Sequence, residues 1–531
     1  MSRHLFKATS LVGGMTLISR ILGFTRDVIL ARYFGAGVAM DAFTMASKIP
    51  NFGRRTFGEG AFSLAFVPVL SEYKVTRKHE EVKLLTDQVA GSLGLALFVV
   101  TAIGVIGAPV VMWIFAPGFS NFPDKYELSV KMLRVTFPYL MFISLTAMAG
   151  GILNTYSRFW VQSFTPTLLN ICMILSVVYL SPHLAEPGMA MAWGMFVAGI
   201  IQLAFQLPFL AQIGLLPQPR IGEKSEAVSR IMKLMLPTVF SSSVAQVNLL
   251  VDSLIASFLA TGSVSWLYYA DRMMEFPLGI FSIALGTVLL TTLAQHHALK
   301  NTAGFSATLD WAFRITTVIV LPAAMGLLVF SGPLITTLFN YGKFSASDTL
   351  MVTWALTTYS MGLLSFTMVK VLLPAYYARQ DSRTPFRTAV VAVAANLFFN
   401  LVITVPWARA GWIAPHAGLA LSTSLASFVN AGQLYYGLRK SGTYVPTNGW
   451  KKLLIRVLVA NLVMGGMLLL FGGKLSQWES YGTLHRIMWL VIWIAAAFAA
   501  YFGTLFATGF RINDLRVRGT QLPGSGATPV T

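Results

Sequence analysis

The stretch from Ser19 to Glu59, SRILGFTRDVILARYFGAGVAMDAFTMASKIPNFGRRTFGE, decides the class of this chain, because charges interrupt sequence that is otherwise apolar enough to sit in lipid. Arg20, Arg26, Asp41, Lys48, Arg54 and Arg55 all fall inside hydrophobic segments. A charged side chain at the bilayer centre costs about 2.5–3.5 kcal/mol even on lenient insertion scales, so this many on two helices are disfavoured unless they line water or a ligand. The stretch predicts a basic cavity within a membrane.

Working outward, the 531 residues are 55% hydrophobic and 11% charged, against roughly 25% charged in soluble proteins. The class is an all-α polytopic membrane protein. The single Cys172 excludes an internal disulfide and reads as a packing residue. Net charge is +19, yet the basic residues sit mostly in short loops between apolar runs, which points to membrane topology and an anionic substrate rather than nucleic acid. There is no G-x-x-x-x-G-K-[ST] phosphate loop, no H-E-x-x-H and no paired catalytic carboxylates in a soluble domain. Direct ATP use and an enzymatic role are not expected, and no cofactor is implied beyond sodium or proton coupling.

Arg3 and Lys7 precede an apolar run as in a signal peptide, but Arg20 and Arg26 interrupt it and no A-x-A-like site follows. It reads as a first transmembrane helix. Runs long enough to cross a core of about 30 Å follow near 40–73, 86–115, 126–154, 160–181 and 188–213, then 228–260, 264–296, 305–339, 348–377, 385–407 and 417–438, and finally 452–472 and 486–509. Fourteen transmembrane helices are expected. Lys74, Arg77, Lys78, Lys83, Arg158, Arg220, Lys224, Lys300, Arg379, Arg383, Arg439, Lys440, Lys451 and Lys452 follow even-numbered helices, which places both termini in the cytoplasm. The tail from Gly519 to Thr531 lacks periodicity and reads as disordered.

An internal repeat is visible. FGAGVAMDAFTMASKIP recurs in character as TGSVSWLYYADRMMEFP, so Pro277 answers Pro50; Thr384-Pro385 answers Thr165-Pro166; and GLALSTS with Gln433-Leu434 answers GMAMAWG with Gln202-Leu203. Six helices per copy is an even number, so the two lobes share an orientation about a pseudo-two-fold axis along the membrane normal. The expected domains are a six-helix lobe over 1–215, a second over 216–442, helices 13 and 14 over 443–510 and a cytoplasmic tail over 511–531. The site is expected between the lobes.

On a helix, Thr16, Arg20, Gly23 and Asp27 share one face with Ser19 and Arg26 beside them. Pro50, Asn51 and Gly53 weaken the second helix just before Arg54 and Arg55, as in the discontinuous helices of transporter sites. The counterpart helix brings Asp271, Arg272 and Glu275. Cations outnumber carboxylates in this region, and guanidinium forks suit phosphate oxygens. Arg272 with Glu275 can equally form an internal pair, and Arg55 can snorkel. Asp252 with Asn396 and Asn400 offers oxygen ligands for a hard cation, or else interhelical hydrogen bonds. Lys370, inside LLSFTMVKVLLP, is a functional candidate without a nameable partner.

These residues carry a resemblance. SRILGFTRDVILARYFGAGVAMDAF, KIPNFGRRTFGEGAFSLAFVPVLSEYK, GSVSWLYYADRMMEFPLGI and ALGTVLL resemble the MurJ/MviN lipid II flippases of the multidrug/oligosaccharidyl-lipid/polysaccharide exporter superfamily, over residues 5 to 510. The resemblance implies a bacterial inner-membrane protein of peptidoglycan biosynthesis with fourteen helices and a central cavity for the pyrophosphate and sugar-pentapeptide head of lipid II. It implies substrate contacts at Arg20, Arg26, Arg54 and Arg272, with Asp41, Ser265 and Glu275 at matching positions, and a lateral groove for the undecaprenyl tail along helices 13 and 14. Arg55, Lys48 and Lys370 stand as gate or secondary residues, and Asp252, Asn396 and Asn400 as a candidate sodium site. Transport is expected by alternating access, with membrane lipids and cell-wall synthesis proteins as further partners. The alternatives are a drug or polysaccharide exporter of the same fold and a non-transporting scaffold of the cell-wall machinery.

Overall fold

The computed structural model describes residues 3–55, 62–220 and 226–515, with side chains outside 3–11, 236–249, 280–287 and 512–513. The tail expected over 519–531 lies outside the described residues, as does Glu59. Among the described residues there is no strand. This suits an apolar chain, because in lipid every backbone N–H and C=O must be satisfied within its own segment.

The first ten helices are α1 (Arg3–Phe34), α2 (Val38–Gly53), α3 (Ser63–Thr76), α4 (His79–Ile106), α5 (Ala108–Phe115), α6 (Pro123–Thr136), α7 (Tyr139–Thr155), α8 (Phe159–Leu175), α9 (Met189–Gln212) and α10 (Glu226–Ser257). The rest are α11 (Ser263–Ala298), α12 (Thr302–Phe339), α13 (Ala346–Met361), α14 (Leu363–Tyr377), α15 (Arg383–Phe399), α16 (Val405–Arg409), α17 (His416–Lys440), α18 (Trp450–Phe471), α19 (Leu475–Ser480) and α20 (Thr483–Ala507). Eight helical spans among the described residues are long and apolar enough to cross a membrane, and α13 with α14, bent by 44°, make a ninth.

The chain packs as two compact units, one of residues 1–265 with 341–345, the other of 266–340 with 346–531. The division falls beyond the 215/216 boundary suggested by the repeat, because α10 packs on the first unit. Arg230 on α10 pairs with Glu72 on α3 at 2.9 Å, and the Gly118 amide donates to Ser257 Oγ at 3.0 Å. The core of the first unit gathers Phe66, Leu85, Ile152 and Leu210 from α3, α4, α7 and α9. In the second unit Leu309, Phe313, Leu372 and Leu434 join α12, α14 and α17. A further cluster fastens α18 and α20 to α12 through Val457, Met464 and Tyr501.

The repeat is written in backbone irregularities as well as in sequence. α4 gives way to α5 at Gly107, and α12 has non-helical dihedrals at Phe330, 223 residues later. α6 and α7 break at Phe137 and Pro138, and α13 and α14 break at Gly362, 224 residues after Pro138. A π-helical turn begins at Ser176 after α8, and another at Asn400 after α15, again 224 residues on. Kinks of this kind have local causes, so their near-constant spacing marks one template used twice.

Candidate functional site

The charged stretch folds into α1, α2 and the turn between them. Gly35 has φ +61°, and a Cβ there would stand 2.5 Å from the Lys343 carbonyl oxygen. The Lys343 amide in turn donates to the Arg32 carbonyl at 2.9 Å, so the reversal from α1 to α2 is held by the 341–345 segment. Only glycine fits that turn without strain.

On α1, Arg26 is fixed from two sides. Its Nε and Nη2 donate to Asp27 Oδ1 at 3.0 and 2.7 Å, and its Nη1 donates to Asn170 Oδ1 on α8 at 3.0 Å. Asn170 is itself oriented, its Nδ2 donating to the Ser19 carbonyl at 3.0 Å. Gly23 leaves room for it, since a Cβ there would meet Asn170 Nδ2 at 3.4 Å. Sequence reasoning found the polar face but missed Asn170, whose only signal is an amide inside the apolar segment TPTLLNICMIL. Arg20, two turns earlier, is half-buried and makes no ion pair or hydrogen bond among the described residues.

The α-helix of α2 stops at Gly53, and Arg54 and Arg55 lie in a π turn beyond it. The proline at position 50 has no N–H for the Ala46 carbonyl, which accepts Thr136 Oγ1 at 3.1 Å instead, and the next residue is Asn51. Its Oδ1 receives Arg54 Nε at 3.2 Å. Arg55 is exposed. Lys48 reaches across to α10, where its Nζ donates to Ser253 Oγ at 2.8 Å. The neighbouring Asp252 is buried.

Asp41 has a different environment from the arginines. It is fully buried, and Lys125 Nζ lies 2.6 Å from its Oδ2 with the lysine side chain 2% exposed. Oδ2 also accepts the Gly262 amide at 2.8 Å. Oδ1 accepts the Ser265 amide and hydroxyl at 2.9 and 2.6 Å. Asp41 and Ser265, expected as substrate contacts, bond to each other and hold the start of α11 against α2. Lys125 was not foreseen, because it sits in a polar helix opening (PDKYELSVK) that reads as a solvated face.

In the second unit, Arg272 Nη1 pairs with Glu275 Oε2 at 2.8 Å, both partly exposed, and the guanidinium lies 5.1 Å from the Tyr268 ring centroid. Lys370 is exposed on α14 rather than enclosed by it. Asn396 and Asn400 are fully buried; Asn400 Nδ2 faces Asn396 Oδ1 at 3.5 Å, and Thr404 Oγ1 donates to Asn400 Oδ1 at 3.3 Å. This polar ladder runs along one helix into its π turn. Asp252 belongs to the other unit.

Guanidinium forks on apolar helices suit the oxygens of an anion such as phosphate. The sequence profile described as "Lipid II flippase MurJ" matches residues 30–492. The chain belongs to the MurJ family. It is 43% identical to the probable lipid II flippase MurJ of Vibrio cholerae over 523 residues, covering 97% of this chain and 98% of the relative. It is 41% identical to the lipid II flippase MurJ of Burkholderia cenocepacia over 88% of this chain and 90% of that one. Among solved structures, it is similar to a lipid II flippase MurJ in an inward closed conformation, with TM-score 0.76 and 27% identity, covering 93% of this chain and 99% of that one. An inward-facing multidrug MATE transporter shares the fold alone, at TM-score 0.64 and 13% identity over 82% of this chain and 98% of the other. Membership in MurJ makes this chain a lipid II flippase and a multi-pass protein of the inner membrane.

Proposed function

We propose that this chain carries the head group of lipid II from the cytoplasmic to the periplasmic face by alternating access, with no covalent change to it, while the undecaprenyl tail stays in the bilayer. The observation that carries the reading is Arg26, placed on an apolar helix and aimed by Asp27 and Asn170. Arg20, Arg26, Arg54 and Arg272 are its pyrophosphate contacts. Their fork geometry matches phosphate oxygens, and a charge pair at 4 Å is worth about 4 kcal/mol at an effective dielectric of 20. Glu275 holds Arg272 between transport events. Asp41 and Ser265 fasten the start of α11 to α2 and part when that end opens.

Fourteen spans belong to this reading. The nine candidates are joined by α1, by α2 with α3, and by α10, α11 and α17. Four of these five carry the charged residues discussed above, and α10 and α11 also hold charge-free apolar windows at 234–251 and 276–293. The constant spacing of the kinks supports two lobes of six helices, 1–215 and 216–442, with α18 and α20 as the added pair. Loop Lys and Arg place both termini in the cytoplasm. Driving force is drawn from the membrane potential, worth about 2.3 kcal/mol per charge at 100 mV, or from sodium or protons coupled through Asp252, Asn396 and Asn400. Sodium-dependent thermal stabilisation lost in Asp252→Ala supports the ion site; no sodium response removes it.

The test of transport is exposure of lipid II in cells to an externally added hydrolase. Arg20→Ala, Arg26→Ala and Arg272→Ala should each insert normally and lower that exposure. Unchanged exposure in all three removes the arginines from the mechanism.

A further inference from the structure

Lys125 is a cation enclosed on every side. It opens α6 two residues after Pro123, is 2% exposed, and has the Phe119 and Phe122 ring centroids at 4.1 and 5.8 Å from its Nζ. Its carboxylate partner is Asp41 at 2.6 Å. The 117–121 turn before it is seated as well. A Cβ on Gly118 would stand 2.4 Å from the Ser257 backbone, and its amide donates to Ser257 Oγ. One short element therefore rests on both α2 and the 257–265 segment that leads into α11.

Asp41 receives four donors, and three of them are neutral: the Gly262 amide, the Ser265 amide and the Ser265 hydroxyl. Lys125 supplies the positive charge. A buried carboxylate robbed of its countercharge is far costlier than a neutral pair in the same place. Without the ammonium, Asp41 is an uncompensated buried charge that is relieved by turning toward water or by local opening. Either movement weakens its hold on Gly262 and Ser265.

We propose that Lys125 is a positioning residue for transport: it supplies the countercharge of Asp41 and keeps the carboxylate aimed at the first amides of α11, and so sets how firmly that helix start is held to α2. The hold itself follows from the cluster; its bearing on transport rests on the alternating-access reading above. Loss of the lysine alone should loosen the contact. Loss of both charges together should restore much of it, because an amide oxygen still accepts from Ser265 and a methionine fits between the two phenyl rings.

The test uses the purified full-length protein with its single cysteine removed (Cys172→Ser) and Val264→Cys, a position 1% exposed, as the reporter. Maleimide should label the introduced thiol on the order of tenfold faster in Lys125→Met than in the parent, as expected for an uncompensated buried charge, and near the parental rate in Lys125→Met/Asp41→Asn. Parental labelling in Lys125→Met, or a double variant no slower than the single one, overturns the proposal. If Lys125→Met does not fold, Lys125→Arg keeps the charge and should label near the parental rate; labelling as fast as in Asp41→Ala overturns it. Lipid II exposure, measured on the same variants without the reporter, should fall in Lys125→Met and recover in the double variant. Faster labelling with undiminished exposure leaves the hold in place and removes its role in transport.

Discussion

Arginines in two regions sit in the same kind of apolar helix and have opposite surroundings. Arg314 on α12 is 7% exposed at its side chain and its donors are spent on the protein. Nε meets Asp310 Oδ2 at 2.7 Å, Nη1 reaches the Asp514 carbonyl at 3.3 Å, and Nη2 reaches Thr447 Oγ1 and the Asn448 carbonyl at 2.8 and 2.9 Å. The Trp450 ring covers it at 5.3 Å. Asp310 is completed by Tyr444 Oη and Trp450 Nε1 at 2.8 and 2.7 Å. On α1, Arg26 is aimed by two side chains, and Arg20 is held by no hydrogen bond among the described residues. A surrounded guanidinium braces loops and helix ends. Arg26, aimed by Asp27 and Asn170, is the arginine proposed above to meet the anion.

The contrast can be broken at several points. The largest effect is expected for Asp310→Ala, which strands Arg314 and should remove about 3–5 kcal/mol of stability, seen as a lower thermal unfolding midpoint with transport per folded molecule kept. Less than about 1 kcal/mol would mean the cluster is no brace. Arg26→Ala should act chiefly on transport, lowering lipid II exposure per folded molecule about tenfold or more, the scale of hydrogen bonds to a charged group, with a lowered midpoint as well because Asp27, 3% exposed, loses its countercharge. Asn170→Ala removes one orienting bond, worth about 1 kcal/mol, and should slow transport roughly fivefold. The smallest effect is expected from Glu275→Gln, which breaks a partly exposed pair worth about 0.2–1 kcal/mol; its stability should barely move, and a large loss would assign Glu275 a structural role.

Much of this was legible in the sequence, for physical reasons. Charges in apolar runs announce themselves, so the helices bearing Arg20, Arg26, Arg54 and Arg272 could be placed in advance. Proline and glycine announce breaks, so the end of α2 at Gly53 was foreseeable. Partners distant along the chain were not. Asn170 lies 144 residues from Arg26 and Lys125 lies 84 from Asp41, and no local pattern links them. The balance of cations and carboxylates in the sequence does not show that Asp41 is taken by Lys125. The Asp310–Arg314 cluster also escaped, because an i, i+4 pair reads as an ordinary helix surface pair until the loop at 443–450 is folded over it.

The most direct measurement is the affinity of the purified protein for lipid II with Arg20, Arg26, Arg54 and Arg272 changed one at a time to alanine, beside Arg314→Gln as the contrasting case. The account predicts that each of the four weakens binding by the folded fraction about tenfold, while Arg314→Gln lowers the midpoint and leaves the affinity of the folded fraction intact. Wild-type affinity in all four variants would contradict it.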